Sequence, residues 1–186
     1  MEVNFYTLWH FIIIVIYLSA IIFFFWRRND KSLKINFKLN IKDALFTLYI
    51  FCIIILLFIL ATYFRILELH PIELTLIQAI LIVFYFVAFI APVEELLFRG
   101  IITSCLVKKT SIFVGLITSA IIFGLVHLPN GALGISPLYW NWKLTLLTGI
   151  SGLFFGIAYL QTKSIINPIL LHAASGIIWV LLFGEL

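Results

Sequence analysis

Leu74–Gly100 reads LTLIQAILIVFYFVAFIAPVEELLFRG, an apolar run that stays uncharged until two glutamates and an arginine close it. Leu74–Leu97 meets the roughly 20 residues a transmembrane helix needs and can extend to Val107. The rest of the chain has the same character. Apolar residues fill 64% of the 186 positions and charged ones 11%, with mean hydropathy +1.22. A soluble domain is about half apolar and a quarter charged. So little polar surface means that the exterior faces lipid, where helices can satisfy their own backbone groups. Six spans fit: Leu8–Trp26, Asp43–Phe64, Leu74–Leu97, Ile112–Leu128, Leu144–Leu160 and Ile165–Phe183. The expected fold is all-α, a polytopic transmembrane helix bundle of about six spans forming one integral membrane domain over 1–186.

Basic residues orient this bundle. Arg27, Arg28, Lys31, Lys34, Lys38 and Lys42 lie between spans one and two, Lys108 and Lys109 between three and four, Lys163 between five and six. Those loops share one side, against only Arg65 and Lys143 on the other. By the positive-inside rule both termini are extracytoplasmic, in a multi-pass protein of the cell (inner) membrane. The net charge of +4 thus reports orientation, and nothing in it points to nucleic acid. Residues 27–42 form a cytoplasmic basic loop; Lys31, Lys34 and Lys38 with Leu33 and Phe37 also have amphipathic-helix spacing, though a topology-fixing loop is the plainer reading. Trp26, Trp140 and Trp142 suit an interfacial belt. The first span is too long for a signal-peptide core and is followed by Arg27 and Arg28, so a retained helix is expected. Cys52 and Cys105 sit in apolar runs without zinc or disulfide spacing, and the C-terminus carries no prenylation signal.

Apart from residues in loops and at span ends, and with the third span extended to Val107, five ionisable residues stand out: Glu94, Glu95, Arg99, His127 and His172. Each costs about 2.5–3.5 kcal/mol at mid-membrane, so such groups face the protein interior and find partners there. Glu95 and Arg99 are i and i+4 and can pair on one helix face. Glu94 points about 100° away by helical geometry and is left as the proton acceptor. Glu94 precedes the turn near Thr110 by sixteen residues and His127 follows it by seventeen, which places them at similar depth on antiparallel helices. Pro92 is expected to kink the helix just before the acids.

On these residues the chain resembles a known family. Glu94-Glu95-Leu96-Leu97-Phe98-Arg99 is similar to the EExxxR motif of the CAAX protease and bacteriocin-processing (CPBP) family, the glutamic-type intramembrane proteases. Phe123-Gly124-Leu125-Val126-His127 resembles its FxxxH motif, and Gly152–Tyr159 with Asn167–Ala173 resembles its third region, which ends in a histidine. The resemblance covers about residues 81–182, the expected protease core. It departs at one position. The family's HxxxN pattern has Asn one turn after the last His, and here that position is Gly176, with Ser175 and Asn167 as possible substitute donors.

The resemblance implies an intramembrane endopeptidase. Glu94 would activate a water with help from His127, Glu95 and Arg99 would support the acid, and His172 would stabilise the oxyanion. Phe98, Phe123 and Ser175 are expected to contact a membrane-anchored protein or peptide substrate within the bilayer. No cofactor is required by this chemistry. Zinc on Glu94, His127 and His172 is the alternative, since zinc takes N and O donors, but no HExxH helix is present. Two other classes stay open: a non-catalytic immunity or scaffold protein of the same fold, suggested by Gly176, and an ion-coupled transporter using the two acids.

Overall fold

A computed structural model of the chain describes residues 36–128 and 142–183, together with residue 19. All regular structure among them is helical. Helix α1 is Ile41–Tyr63, α2 Leu76–Lys109, α3 Ile112–Leu125, α4 Trp142–Thr162 and α5 Ile166–Phe183. Four of these, α1, α2, α4 and α5, are long and apolar enough to cross a membrane. The expected first span lies outside the described residues.

The sequence places the helix starts through caps that satisfy orphan backbone donors. Asn40 Oδ1 accepts from Asp43 N at 2.9 Å and opens α1, so the basic loop ends before Ile41 and residues 36–40 are not helical. Thr75 and Gln78 form a capping box that starts α2 at Leu76, and Ser111 caps Val114 N at the start of α3. The third span takes its longer form: α2 runs 34 residues, past Leu97 and Val107 to Lys109, about 50 Å at helical rise. One expectation needs correction. The fourth span ends at Leu125, not Leu128, and its 14 residues are too few to span. Pro129 follows in the sequence, and a proline disfavours helical backbone in the residue before it.

Helix α2 is not uniform. An α-helical segment, Ala91–Glu95, lies between two π-helical ones, Phe86–Ile90 and Leu96–Thr103. Pro92 has no N–H and its ring crowds the carbonyl one turn back. A widened turn at that place, with Ala91 N bonded to Phe86 O, accommodates both defects without breaking the helix.

The described residues group into two compact units, whose boundaries fall inside α2 at Glu95/Leu96 and inside α4 at Leu153/Phe154. The first comprises residues 36–95 and 154–183. In it α5 packs against α1 and the front half of α2. Phe58, Trp179 and Phe183 form an edge-to-face cluster, and Thr47, Asn167 and Thr162 form a buried chain of hydrogen bonds of 2.7 and 3.0 Å. His70 N and Ile72 N, in the α1–α2 connection, bond to the Leu182 and Leu181 carbonyls near the end of α5.

The second unit comprises residues 96–128 and 142–153. The back half of α2 packs on α3 so tightly that a Cβ on Gly115 would lie 2.6 Å from Val107 N. Thr103 and Ser119 share a buried hydrogen bond of 2.6 Å. A Cβ on Gly124 would lie 2.6 Å from Thr145 O on α4, so the α3–α4 crossing requires glycine there.

Burial runs opposite to that of a soluble protein. Leu76, Ile77, Ile112 and Phe113 are at least 65% exposed, while Glu95, Arg99, Thr103, Ser164 and Asn167 are at most 1% exposed. Apolar side chains outside and polar ones inside is the pattern lipid imposes.

Candidate active site

In the first unit the short α segment of α2 delivers Glu94 and Glu95, and α5 delivers His172. Glu95 is fully buried and His172 nearly so. His172 Nδ1 lies 2.9 Å from Glu95 Oε1, and His172 Nε2 lies 3.8 Å from Glu94 Oε2. One imidazole therefore faces two carboxylates. The first distance is a direct hydrogen bond; the second exceeds one and suits a shared water or a longer-range charge contact. Phe155 stacks on the imidazole at 5.3 Å and 19°. In a water-poor interior these contacts are stronger than in water.

The structure gives Glu95 Oε1 a partner that helical spacing did not nominate, an imidazole 77 residues away in the chain. An imidazole fixed through one nitrogen by a carboxylate presents the other in a set orientation and tautomer.

The neighbours of His172 are already bonded. Ser175 donates its hydroxyl to the Leu171 carbonyl of its own helix. Asn167 accepts from Thr47 Oγ1 and donates to Thr162 Oγ1. The Ser175 hydroxyl, considered as a substitute donor for the missing amide, is thus engaged elsewhere, as is one of the two N–H groups of Asn167. At Gly176 itself, a Cβ would meet the ring of Phe86, 2.7 Å from Cδ1 and closer still to Cε1. An aromatic ring from α2 stands where a side chain at 176 would begin.

The second unit holds Arg99, His127, Phe98 and Phe123. Arg99 is 1% exposed. Its Nη2 donates to the Gly152 carbonyl at 2.8 Å, and its guanidinium lies 4.4 Å from the Phe123 ring centroid, a cation–π contact. Phe98 packs edge-to-face on Phe123 at 4.8 Å. Gly152 permits the arrangement, because a Cβ there would lie 2.7 Å from Phe123 Cδ1 and 3.1 Å from Arg99 Nη2. Phe98 and Phe123, expected to contact substrate, are both buried and pack around Arg99.

His127 stands in the turn after α3, not within a spanning helix. Its Nδ1 lies 2.8 Å from Phe123 O. A backbone carbonyl only accepts, so Nδ1 carries the proton and, in the neutral ring, Nε2 is the acceptor. The depth comparison of Glu94 with His127 relied on straight α-helices. Two π segments in α2 and the early end of α3 remove that premise.

Among the described residues no group of three or more His, Cys, Asp or Glu side chains is arranged to hold a metal ion. Within the first unit, His172 Nδ1 bonds to Glu95 and Nε2 faces Glu94. Sequence reasoning gave no individual role to Phe86, Gly152 or Phe155. Gly152 and Phe155 lie in the Gly152–Tyr159 stretch that resembles the family's third region, and Gly152 is also a glycine inside a spanning helix. Aromatic residues are too common in this chain to single out Phe86 or Phe155.

Comparison with known proteins agrees with this picture. Residues 76–178, more than half of the chain, match the family model described as type II CAAX prenyl endopeptidase Rce1-like. YdiL of Bacillus subtilis (strain 168), named a candidate membrane peptidase, is 33% identical over 100 residues, which are 53% of this chain and 36% of that protein. The chain spans about a third of the length of that curated relative. No solved structure matches.

Proposed function

The chain belongs to the Rce1-like family of type II CAAX prenyl endopeptidases, and we propose that its Glu94–Glu95–His172 cluster hydrolyses a peptide bond of a membrane-anchored protein or peptide by a glutamic-type mechanism. The observation that carries this reading is the single imidazole set between two carboxylates, bonded to Glu95 and facing Glu94.

The mechanism is written on protein groups alone. Glu94 takes a proton from a water as that water attacks the scissile carbonyl. The tetrahedral intermediate carries a negative oxygen, and His172, as an imidazolium whose Nδ1–H is held by Glu95, donates to it through Nε2–H. Glu94 then passes its proton to the leaving amine as the C–N bond breaks. General acid–base catalysis of this kind contributes about 10²–10⁴-fold, and a positioned oxyanion donor about 10²–10³-fold. His127 assists through Nε2, and Arg99 with Phe98 and Phe123 holds the start of the second unit in shape. Both termini are extracytoplasmic in this reading, in the cell membrane, which C-terminal reporter fusions would check.

The test uses the full chain in proteoliposomes with three quenched-fluorescence probes: a farnesylated CAAX peptide, a bacteriocin-leader peptide and a peptide ending in a transmembrane helix. Cleavage of one probe, lost in Glu94→Ala and retained with a chelator, is expected. Loss on chelation alone would move the chemistry to a metal. If no probe is cut while a proton gradient is dissipated, the protease reading fails. A non-catalytic scaffold of the same fold is the second reading, favoured by the ring of Phe86 at Gly176; it predicts neither cleavage nor leakage.

A further inference from the structure

Residue 176 lies one helical turn beyond His172, and neighbours at that spacing have their Cβ positions about 5–6 Å apart on one face. Gly176 has no Cβ, and the edge of the Phe86 ring occupies that place. The ring therefore stands one turn from the base of the His172 side chain. Phe86 begins the first π segment of α2, and its carbonyl accepts the Ala91 N–H that the widened turn redirects. Phe155, stacked on the imidazole, comes from α4.

We infer that Phe86 is a positioning residue for His172: seated on Gly176, it closes the site one turn along α5 and, with Phe155, keeps the imidazole on Glu95 and shielded from water. The catalytic meaning of this role rests on the protease reading above; the positioning itself does not. The physical reason is local. A hydrogen bond between imidazole and carboxylate weakens when water competes for either partner. A polar side chain at 176 would bring such competition, whereas an aromatic edge against bare backbone excludes it. The same fit makes Gly176 intolerant of even a methyl group while Phe86 is present.

The test is NMR of the full chain in bicelles with ¹⁵N-labelled histidine, His172 being assigned by its loss in His172→Asn. In the wild type the His172 Nδ1–H signal should be protected from solvent exchange. Phe86→Ala should speed that exchange about tenfold or more, as an opened local structure does, while Phe86→Leu keeps most of the protection. Gly176→Ala should also disturb the signal, but add nothing further in the Phe86→Ala background, because the collision is then gone. Unchanged exchange in Phe86→Ala, or a Gly176→Ala effect of equal size in both backgrounds, overturns the inference. Should Phe86→Ala not fold, Phe86→Met and Gly176→Ala carry the same comparison. None of these readouts needs cleavage: a Glu94→Ala protein that still cuts its probe would sink the protease reading and leave this one standing.

Discussion

The two units solve the problem of buried charge differently. In the first, His172 is bonded to one carboxylate and faces another, so titratable groups are coupled to each other. In the second, Arg99 reaches a backbone carbonyl and an aromatic face, and His127 a backbone carbonyl. A carbonyl or a ring can satisfy a charge but cannot take or give a proton. The difference bears on the proposed chemistry: the first unit sets an imidazole beside two carboxylates, the groups a proton-transfer step uses, while the carbonyl and ring contacts of Arg99 pack the second.

Glu94→Gln tests that division most severely. It keeps the shape of the side chain and removes the base, so kcat on the cleaved probe should fall about 10²–10⁴-fold with the thermal midpoint in detergent nearly unchanged. Retained turnover would break the comparison. Glu95→Gln should lower kcat about 10–100-fold, the usual cost of losing a group that orients a functional ligand, and should leave KM close to wild type. In the second unit the expected losses are in stability. Gly152→Ala forces a methyl group between Arg99 and Phe123 and should cost about 1–3 kcal/mol, read as a lowered unfolding midpoint. Ser119→Ala, which removes one partner of the bond to Thr103, should cost only about 0.6 kcal/mol and leave kcat unaltered. A large kcat effect from Ser119→Ala, with stability intact, would show that the second unit is more than support.

The residues of the candidate site were largely legible from the sequence because ionisable groups inside apolar runs are conspicuous whatever the fold. Glu94, Glu95 and His172 were found this way, and they meet in the structure. Their partners were less legible. Helical spacing nominates only neighbours on the same helix, such as Arg99 for Glu95; it is blind to a histidine on another helix. Span boundaries were read to within a few residues wherever a cap marks the start, as at Asn40 and Thr75. Along α2 the longer of the two readings, to Val107, comes within two residues of the end at Lys109, and the reading missed after Leu125, where α3 ends early. The π segments were not legible at all, since they arise from how α2 accommodates Pro92 and its packing rather than from any local preference.

Composition alone determined the solvent. A chain that is 64% apolar and 11% charged has to present hydrocarbon outward and fold its backbone into helices. Sequence also decided which few residues could do chemistry, because only a handful of ionisable groups lie inside the spans. Tertiary structure decided which groups those residues meet. It gave Glu95 an imidazole, engaged Ser175 and Asn167 elsewhere, and filled the space at Gly176 with Phe86. The reason is range. Hydropathy and helix periodicity are properties of neighbouring residues, whereas hydrogen bonds and ring packing join residues far apart in the chain, and only packing brings those together.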